Sequence, residues 1–338
     1  MAQTTLNFGI EIELLLGPRK KFSSHHSSWK SLAKDLSKRL LKAGIPNHIN
    51  NSNDKSPHNY RQWSITQEIT IPNQSAKGLF GIELVSPVFS SSHSQTFTSQ
   101  FSTIFSTIHS SYSIHPSPNC STHIHISSAS PLDLSLSSLA KTSLYFEPAL
   151  DTLVPPSRGR ESGTYWCQSN RSNPSLSGLA LSQCLAVIGY AATSASASAS
   201  TSTNNSPEAG GVIQAMNLFP CNSAYGKAHG YSQDFIRGKV YKWDLTGMIP
   251  GQGNGAIEFR QPPGSLTAYD AIGWAKLAMA FVAGGMVVGQ RLDSGMEGLS
   301  EEGASVDDLW ELLVGGAGVL GWEDGLGKEV EGLIARAG

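Results

Sequence analysis

Regular alternation of apolar and polar residues is the main pattern along the chain, and it predicts strands. The alternation occurs over residues 6–16, 61–71, 78–87, 120–127 and 255–261. Residues two apart on a strand share a face, so each stretch has one aliphatic face and one polar face. We therefore expect a sheet that buries its apolar face and presents its polar face to a site or to solvent.

Helical spacing of apolar residues connects the predicted strands. Apolar positions recur three and four residues apart over residues 29–43, 90–112, 132–153, 176–192, 267–291, 306–314 and 327–335. This arrangement predicts the α+β class, with a curved, mainly antiparallel sheet and flanking helices. One domain is expected over residues 1–292, with a low-complexity, mobile insertion at 193–207 and a short, helical, Gly-rich tail at 293–338.

The polar face of the predicted sheet carries the candidate chemistry. It holds Glu11 and Glu13, Glu68, Glu83, His123 and His125, and Glu258 and Arg260. Each of these sets alone is also typical of a solvated sheet face or a structural ion pair. Together they predict an acid-lined floor, because neighbouring buried carboxylates need a cation. Such a floor suits hard divalent cations, Mg²⁺ or alternatively Mn²⁺, and an adjacent arginine suits phosphoryl transfer from a nucleotide.

Composition and charge narrow the class of protein. Of 338 residues 15% are charged, and the formal net charge of −2 gives no electrostatic case for nucleic acid or an anionic membrane as partner. The first residues lack a signal-peptide pattern, and residues 274–288 are too short and too interrupted by glycine to span a bilayer. The four cysteines fit neither a zinc pattern nor a disulfide framework. A soluble, cytoplasmic protein is therefore expected.

The common nucleotide-binding loops are not predicted. Residues 316–321 fit G-x-G-x-x-G, but the chain ends before the second strand that a dinucleotide fold requires, so they are interpreted as a glycine-rich turn. Neither G-x-x-x-x-G-K-[ST] nor G-x-S-x-G occurs in the sequence. If the protein uses ATP, we expect it to bind the nucleotide without a P-loop.

The segments FGIEIELLL, WSITQEITI, GIELVSP, CSTHIHIS and GAIEFRQPPGS resemble, in this order, the motifs of the amidoligase family. The resemblance extends over about residues 6–288. It implies the fold of glutamine synthetase and glutamate–cysteine ligase, whose sheet binds Mg-ATP. It also implies ATP-dependent joining of a small-molecule or peptide carboxylate to an amine through an acyl-phosphate, with ATP converted to ADP.

The resemblance assigns roles to individual residues. The implied metal ligands are Glu11, Glu13, Glu83, His123 and Glu258. The implied nucleotide contacts are His125, Ser127 and Arg260, and the implied catalytic residues are Glu258, Arg260 and Arg158. Arg260 would steady the transferring phosphoryl group, and Arg158 would bind the substrate carboxylate. Two positions depart from the family pattern: Glu68 stands where Asp is common, and Asp244 where Asn is frequent.

Two other functions fit the same residues. A metal-dependent hydrolase would use the acids and His123 to activate water and would consume no ATP. A non-catalytic nucleotide- or metal-binding protein would have the same acid-lined face of the sheet but would not catalyse a reaction. The loops over 157–174 and 209–239 are expected to set specificity. The loop arginines Arg158, Arg160 and Arg171 are candidates for contact with an acidic substrate or, equally, solvated charges.

Overall fold

Strand β1 (Leu6–Pro18) organises the sheet. The other strands are β2 (Asn47–Ile49), β3 (Trp63–Gln67), β4 (Phe80–Val85), β5 (Phe89–Ser90), β6 (Tyr112–His115), β7 (Thr122–Ser128), β8 (Trp243–Asp244) and β9 (Ile257–Phe259). The computed structural model describes residues 4–19, 26–50, 56–128, 134–159, 165–197, 207–217, 237–249, 253–294 and 299–337. Within these residues nine strands form one open sheet in the order β2-β3-β4-β1-β7-β9-β8, with β5 and β6 also paired to β1.

The pairing is antiparallel throughout the sheet except between β2 and β3, which are parallel. Since β1 is long, it pairs with β4 along one edge and with β7 along most of the other. The prediction of a mixed fold with a mainly antiparallel sheet is therefore confirmed.

Helices cover the apolar face of the sheet. The helices that contact the strands most are α1 (Trp29–Lys42), α2 (Ser94–Ser111) and α7 (Ala268–Ser294). The others, which pack mainly on helices or turns, are α3 (Leu136–Tyr145), α4 (Glu147–Thr152), α5 (Leu181–Ala197), α6 (Pro207–Asn217), α8 (Val306–Val319) and α9 (Lys328–Ile334). Phe8 of β1 is 1% exposed and meets Phe97 of α2 edge-on, with ring centroids 5.0 Å apart. Burying one such side chain contributes about 1.5–3 kcal/mol, so the apolar residues fix which face of each strand remains for the site.

Helix α7 is the central helix of this layer. Its segment Ala268–Gly289 is long and apolar enough to cross a membrane, but 78% of that window is buried within the protein, as in a core helix. Helices α8 and α9 pack against it. A Cβ on Gly316 would lie 1.9 Å from the carbonyl oxygen of Ala280, so only glycine allows this approach. Gly316 is inside α8, and the interpretation of residues 316–321 as a turn is wrong for their first part.

Three helical predictions need correction. The helix predicted over 132–153 is two helices that meet at Phe146, because Pro148 has no N–H and its ring clashes with a continuous helix. Helix α5 continues to Ala197, so residues 193–197 of the predicted insertion are helical, while 198–206 lie outside the described residues. Helix α6 lies at the start of a segment that was expected to be irregular.

Candidate functional site

The polar residues of four strands meet on the uncovered face of the sheet. Strand register places Glu13 opposite Glu83 and Glu11 opposite His123. The same register places His125 opposite Glu258 on β9. Side chains directly opposite on paired strands have Cβ atoms about 4.5–5.5 Å apart, so these groups interact directly. The structure thus brings together all five residues to which a metal role was assigned.

His123 lies at the centre of the acids. Its Nδ1 is 3.3 Å from Glu11 Oε2 and 3.4 Å from Glu258 Oε1. Its Nε2 is 3.8 Å from Glu13 Oε1. One imidazole therefore contacts carboxylates from two different strands.

His125 bridges two of the same acids. Its Nε2 is 3.2 Å from Glu11 Oε1 and 3.6 Å from Glu258 Oε1. Burial opposes protonation of the ring, but the negative charges of Glu258 and Glu11 outweigh it and raise the pKa of His125 to about 9. In return, and against the effect of burial, the nearby histidines hold the pKa of Glu11 well below its ordinary value. Without a bound cation, His125 is a positive charge at neutral pH.

Ser121 fixes the orientation of Glu13. Its backbone N–H and its hydroxyl donate to Glu13 Oε2 at 2.7 and 2.5 Å, and its Oγ lies 2.6 Å from His123 Nε2. No role was predicted for Ser121 from the sequence. The period-two pattern was the available signal, because residues 121, 123 and 125 share one face.

The acids can hold divalent cations. Three groups have ligand atoms within 4.8 Å of one another: Glu11, Glu83 and His123; Glu11, His125 and Glu258; and Glu13, Glu68 and Glu83. The donors are mainly carboxylate oxygens, which Mg²⁺ and Mn²⁺ prefer. Burial raises the pKa of Glu13 despite its hydrogen bonds, so a cation beside this carboxylate would favour its ionised form. The residues therefore fit the metal that the predicted chemistry requires, and Glu68 joins them although its role was left open.

Arg260 presents a buried positive charge beside this cluster. It is 8% exposed, and its Nη1 lies 2.5 Å from Glu258 Oε1. Its Nε has no hydrogen-bond partner among the described residues. A buried donor without a partner costs about 1–3 kcal/mol, so this site is suited to an anionic ligand that would accept from it.

The cluster lines a cleft of about 230 Å³ that contains groups of both charges. We call its acids, Glu11, Glu13, Glu68 and Glu83, the acidic half, and its cations, Arg158, Lys239 and Arg260, the cationic half. The acidic half is carried by β1, by β4 and by the residue that follows β3. The cationic half comes from a strand end and two short 3₁₀ turns, Pro156–Arg158 and Arg237–Val240. Lys239 ends the loop over 209–239 that was expected to set specificity, but no individual role was predicted for it.

His125 and Ser127, the implied nucleotide contacts, line an adjoining cavity of about 430 Å³. Glu11 lines both this cavity and the central cleft. The two residues are thus next to the candidate metal ligands, in a cavity with mostly apolar neighbours that include Phe8 and Val88. Their contact with a nucleotide remains a prediction.

Arg158 is engaged with the backbone of the strand end. It is 3% exposed, and its Nε and Nη2 donate to the carbonyl oxygens of Gln261 and Arg260 at 2.7 and 2.6 Å. Burial lowers the pKa of its guanidinium. These bonds hold the segment that carries Arg260. The other loop arginines differ: Arg171 donates to the carbonyl oxygen of Leu179, and Arg160 lies outside the described residues.

A buried cluster of charged residues also holds the segment that contains Arg260 and Gln261. Lys242 is 1% exposed, with its Nζ 2.7 Å from Glu147 Oε1 and 2.5 Å from Asp151 Oδ1. Asp151 also accepts from Gln261 Nε2 at 2.6 Å, and the carbonyl oxygen of Lys242 accepts from the N–H of Arg260 at 2.8 Å. Glu147 is therefore a structural acid. Asp244 lies opposite Glu258, and burial together with the charge of Glu258 raises its pKa.

The N-terminal half of the chain matches the model of a known protein family. Residues 4–173, half of the chain, match the family whose description is "Putative amidoligase enzyme". No curated protein matches the chain. The matched segment includes β1, β4 and β7 and ends before β9, so Glu258 and Arg260 lie outside it.

Proposed function

Because the chain belongs to the amidoligase family, we propose that it is an ATP-dependent ligase that joins a carboxylate to an amine through an acyl-phosphate. The family name indicates an enzyme that forms amide bonds. The observation that carries the finer proposal is Arg260, a buried arginine with an unpartnered Nε beside three carboxylate-rich groups of possible metal ligands. An anion that binds metal and arginine together is the form in which a nucleotide triphosphate presents its γ-phosphate.

The proposed reaction has two steps. A carboxylate oxygen of the acid substrate attacks the γ-phosphorus of ATP, and the bond from that phosphorus to the β,γ-bridging oxygen of ADP breaks. The amine nitrogen then attacks the acyl carbon, phosphate leaves, and the amine proton passes to solvent. Bound divalent cations would supply charge neutralisation on the phosphate oxygens.

The residues of the chain would act by position and charge. Glu11, Glu13, Glu83, His123 and Glu258 would hold the cations. Arg260 would donate to the transferring phosphoryl group, as preorganised donors do at developing charge. His125 and Ser127 would contact the nucleotide phosphates from the adjoining cavity. We extend the proposal to the fold: an open sheet with helices on one face and acids on the other is consistent with glutamine synthetase.

The test is thermal melting with Mg-ATP on the wild type, on Glu258→Gln and on Glu302→Gln, whose acid is exposed. A ligand at about a hundred times its Kd adds about 2.7 kcal/mol, which is several degrees for a chain of this size. We expect the wild type and Glu302→Gln to shift and Glu258→Gln not to shift. ADP release with a panel of carboxylates and hydroxylamine as the amine would then identify the reaction.

Two outcomes would contradict the proposal. If none of the three proteins shifts up to millimolar Mg-ATP, the chain has no nucleotide site of the proposed kind. If esters or phosphoesters are cleaved in a Glu258-dependent way without ADP release, the protein is a metal-dependent hydrolase.

A further inference from the structure

The three cations of the cleft are not equivalent. Arg260 faces Glu258 and is suited to the phosphoryl group. Arg158 is buried and uses its Nε and Nη2 on backbone carbonyl oxygens. Lys239 is exposed, lines the cleft, and forms no ion pair with a carboxylate of the described residues. Of the three, Lys239 is the one that is exposed.

The backbone of Lys239 is firmly held although its side chain is exposed. Val240 and Tyr241, which follow it, are 0% exposed and pack with Tyr165 and Trp166. The carbonyl oxygen of Val240 accepts from the N–H of Gln168 at 2.7 Å. The backbone that follows Lys239 is therefore fixed, and both Lys239 and Trp166 line the cleft.

Apolar side chains also line the cleft. Ile69, the residue after Glu68, is 77% exposed and lines it. Trp166 lines it as well. An isoleucine this exposed gains nothing from the fold, but it can pack against the carbon chain of a bound molecule.

We propose that Lys239 binds a second anionic group of the acid substrate, so the substrate is a dianion with a short carbon chain between its two acidic groups. This inference rests on the proposed function, in which the first carboxylate is activated next to Arg260. The chain of the substrate would pack between Ile69 and Trp166. Arg158 would act as a positioning residue, because its contacts hold Arg260 and Gln261.

The test is calorimetric binding of succinate, glutarate and adipate, each compared with the monocarboxylate of equal carbon number, at low salt and with saturating Mg-ADP. We expect at least one dicarboxylate to bind the wild type about tenfold more tightly than its monocarboxylate. Lys239→Met should bind that dicarboxylate about tenfold more weakly and leave monocarboxylate affinity unchanged. Lys239→Arg should retain the preference, and Lys34→Met, an exposed lysine on helix α1, should match the wild type.

The outcomes separate this inference from the proposed function. The inference is overturned if no dicarboxylate binds, or if the wild type and Lys239→Met bind it equally. If Mg-ATP gives no Glu258-dependent shift in melting while dicarboxylate binding without nucleotide depends on Lys239, the ligase proposal fails and the dianion site stands. If the shift is present but the dicarboxylate preference is absent, the ligase proposal stands and the substrate class is wrong.

Discussion

The acidic and cationic halves of the cleft are built in different ways. Glu11 and Glu13 alternate along one long strand, and Glu83 faces Glu13 across the next. The cations come from the end of β9 and from two short turns that are far apart in sequence. Carboxylates on strands are rigid and close together, which suits multivalent cations. Cations on turns can differ in exposure. Arg158 is buried and donates to backbone carbonyl oxygens, whereas Lys239 is exposed to solvent.

This difference suggests that the two halves have separate functions. The acidic half would determine whether metal binds, and the cationic half would determine what is done with the bound phosphate and which acid is accepted. Variants in each half should therefore have separable effects, which the following predictions test.

The largest effect is expected in the acidic half, from Glu11→Gln. Glu11 belongs to two of the three groups of possible metal ligands, so the change removes an anionic donor from both. We expect divalent cations, with Mn²⁺ as the probe, to bind at least about 100-fold more weakly, and ADP formation to fall with it. Paramagnetic resonance of free Mn²⁺ measures the affinity. Glu302→Gln is the matched control, and equal Mn²⁺ affinity in both variants would exclude Glu11 as a ligand.

A smaller and different effect is expected in the cationic half, from Arg260→Lys. The charge is kept, but the fixed set of guanidinium donors is lost. We expect Mn²⁺ affinity close to that of the wild type and a fall of about 10²–10³-fold in the rate of ADP formation, as for loss of one preorganised donor. If Mn²⁺ binding falls as far as in Glu11→Gln, the two halves do not act separately.

The smallest effect is the pH dependence that His125 gives to stability. Its pKa in the folded protein is about 9, above the ordinary value of about 6.5. The charged ring therefore stabilises the metal-free fold fully below pH 6.5, and this contribution is lost as the pH rises through about 9. Glu11 and Glu258 have lowered pKa values and stay ionised over this range.

Urea unfolding of metal-free protein between pH 6.5 and 9.5 measures this effect. The wild type should lose more stability over the range than His125→Gln, and NMR of the ring should give a midpoint near 9. A midpoint near 6.5 would mean that the acids around His125 are already neutralised.

Much of the sheet was predictable because alternation is a local property. Residues 6–16, 78–87 and 120–127 were correctly identified as strands, and the acids and histidines were assigned to their polar faces. Short strands such as β2 and β5 have two or three residues, too few for a recognisable period, and they form because a neighbouring strand is already in place. The break at Phe146 follows from Pro148 and was visible in the sequence.

The sequence by itself determined the chemistry of the floor: which residue types it contains and that those on one strand share a face. Only the tertiary structure decided which of them touch. Strand register sets Glu11 against His123, and His125 against Glu258, and no local pattern encodes register between strands distant in sequence. Likewise, the sequence does not show that Arg158 is buried while Lys239 is exposed. Arg158 is buried because its hydrogen bonds to the carbonyl oxygens of Arg260 and Gln261 are formed only when the chain is folded.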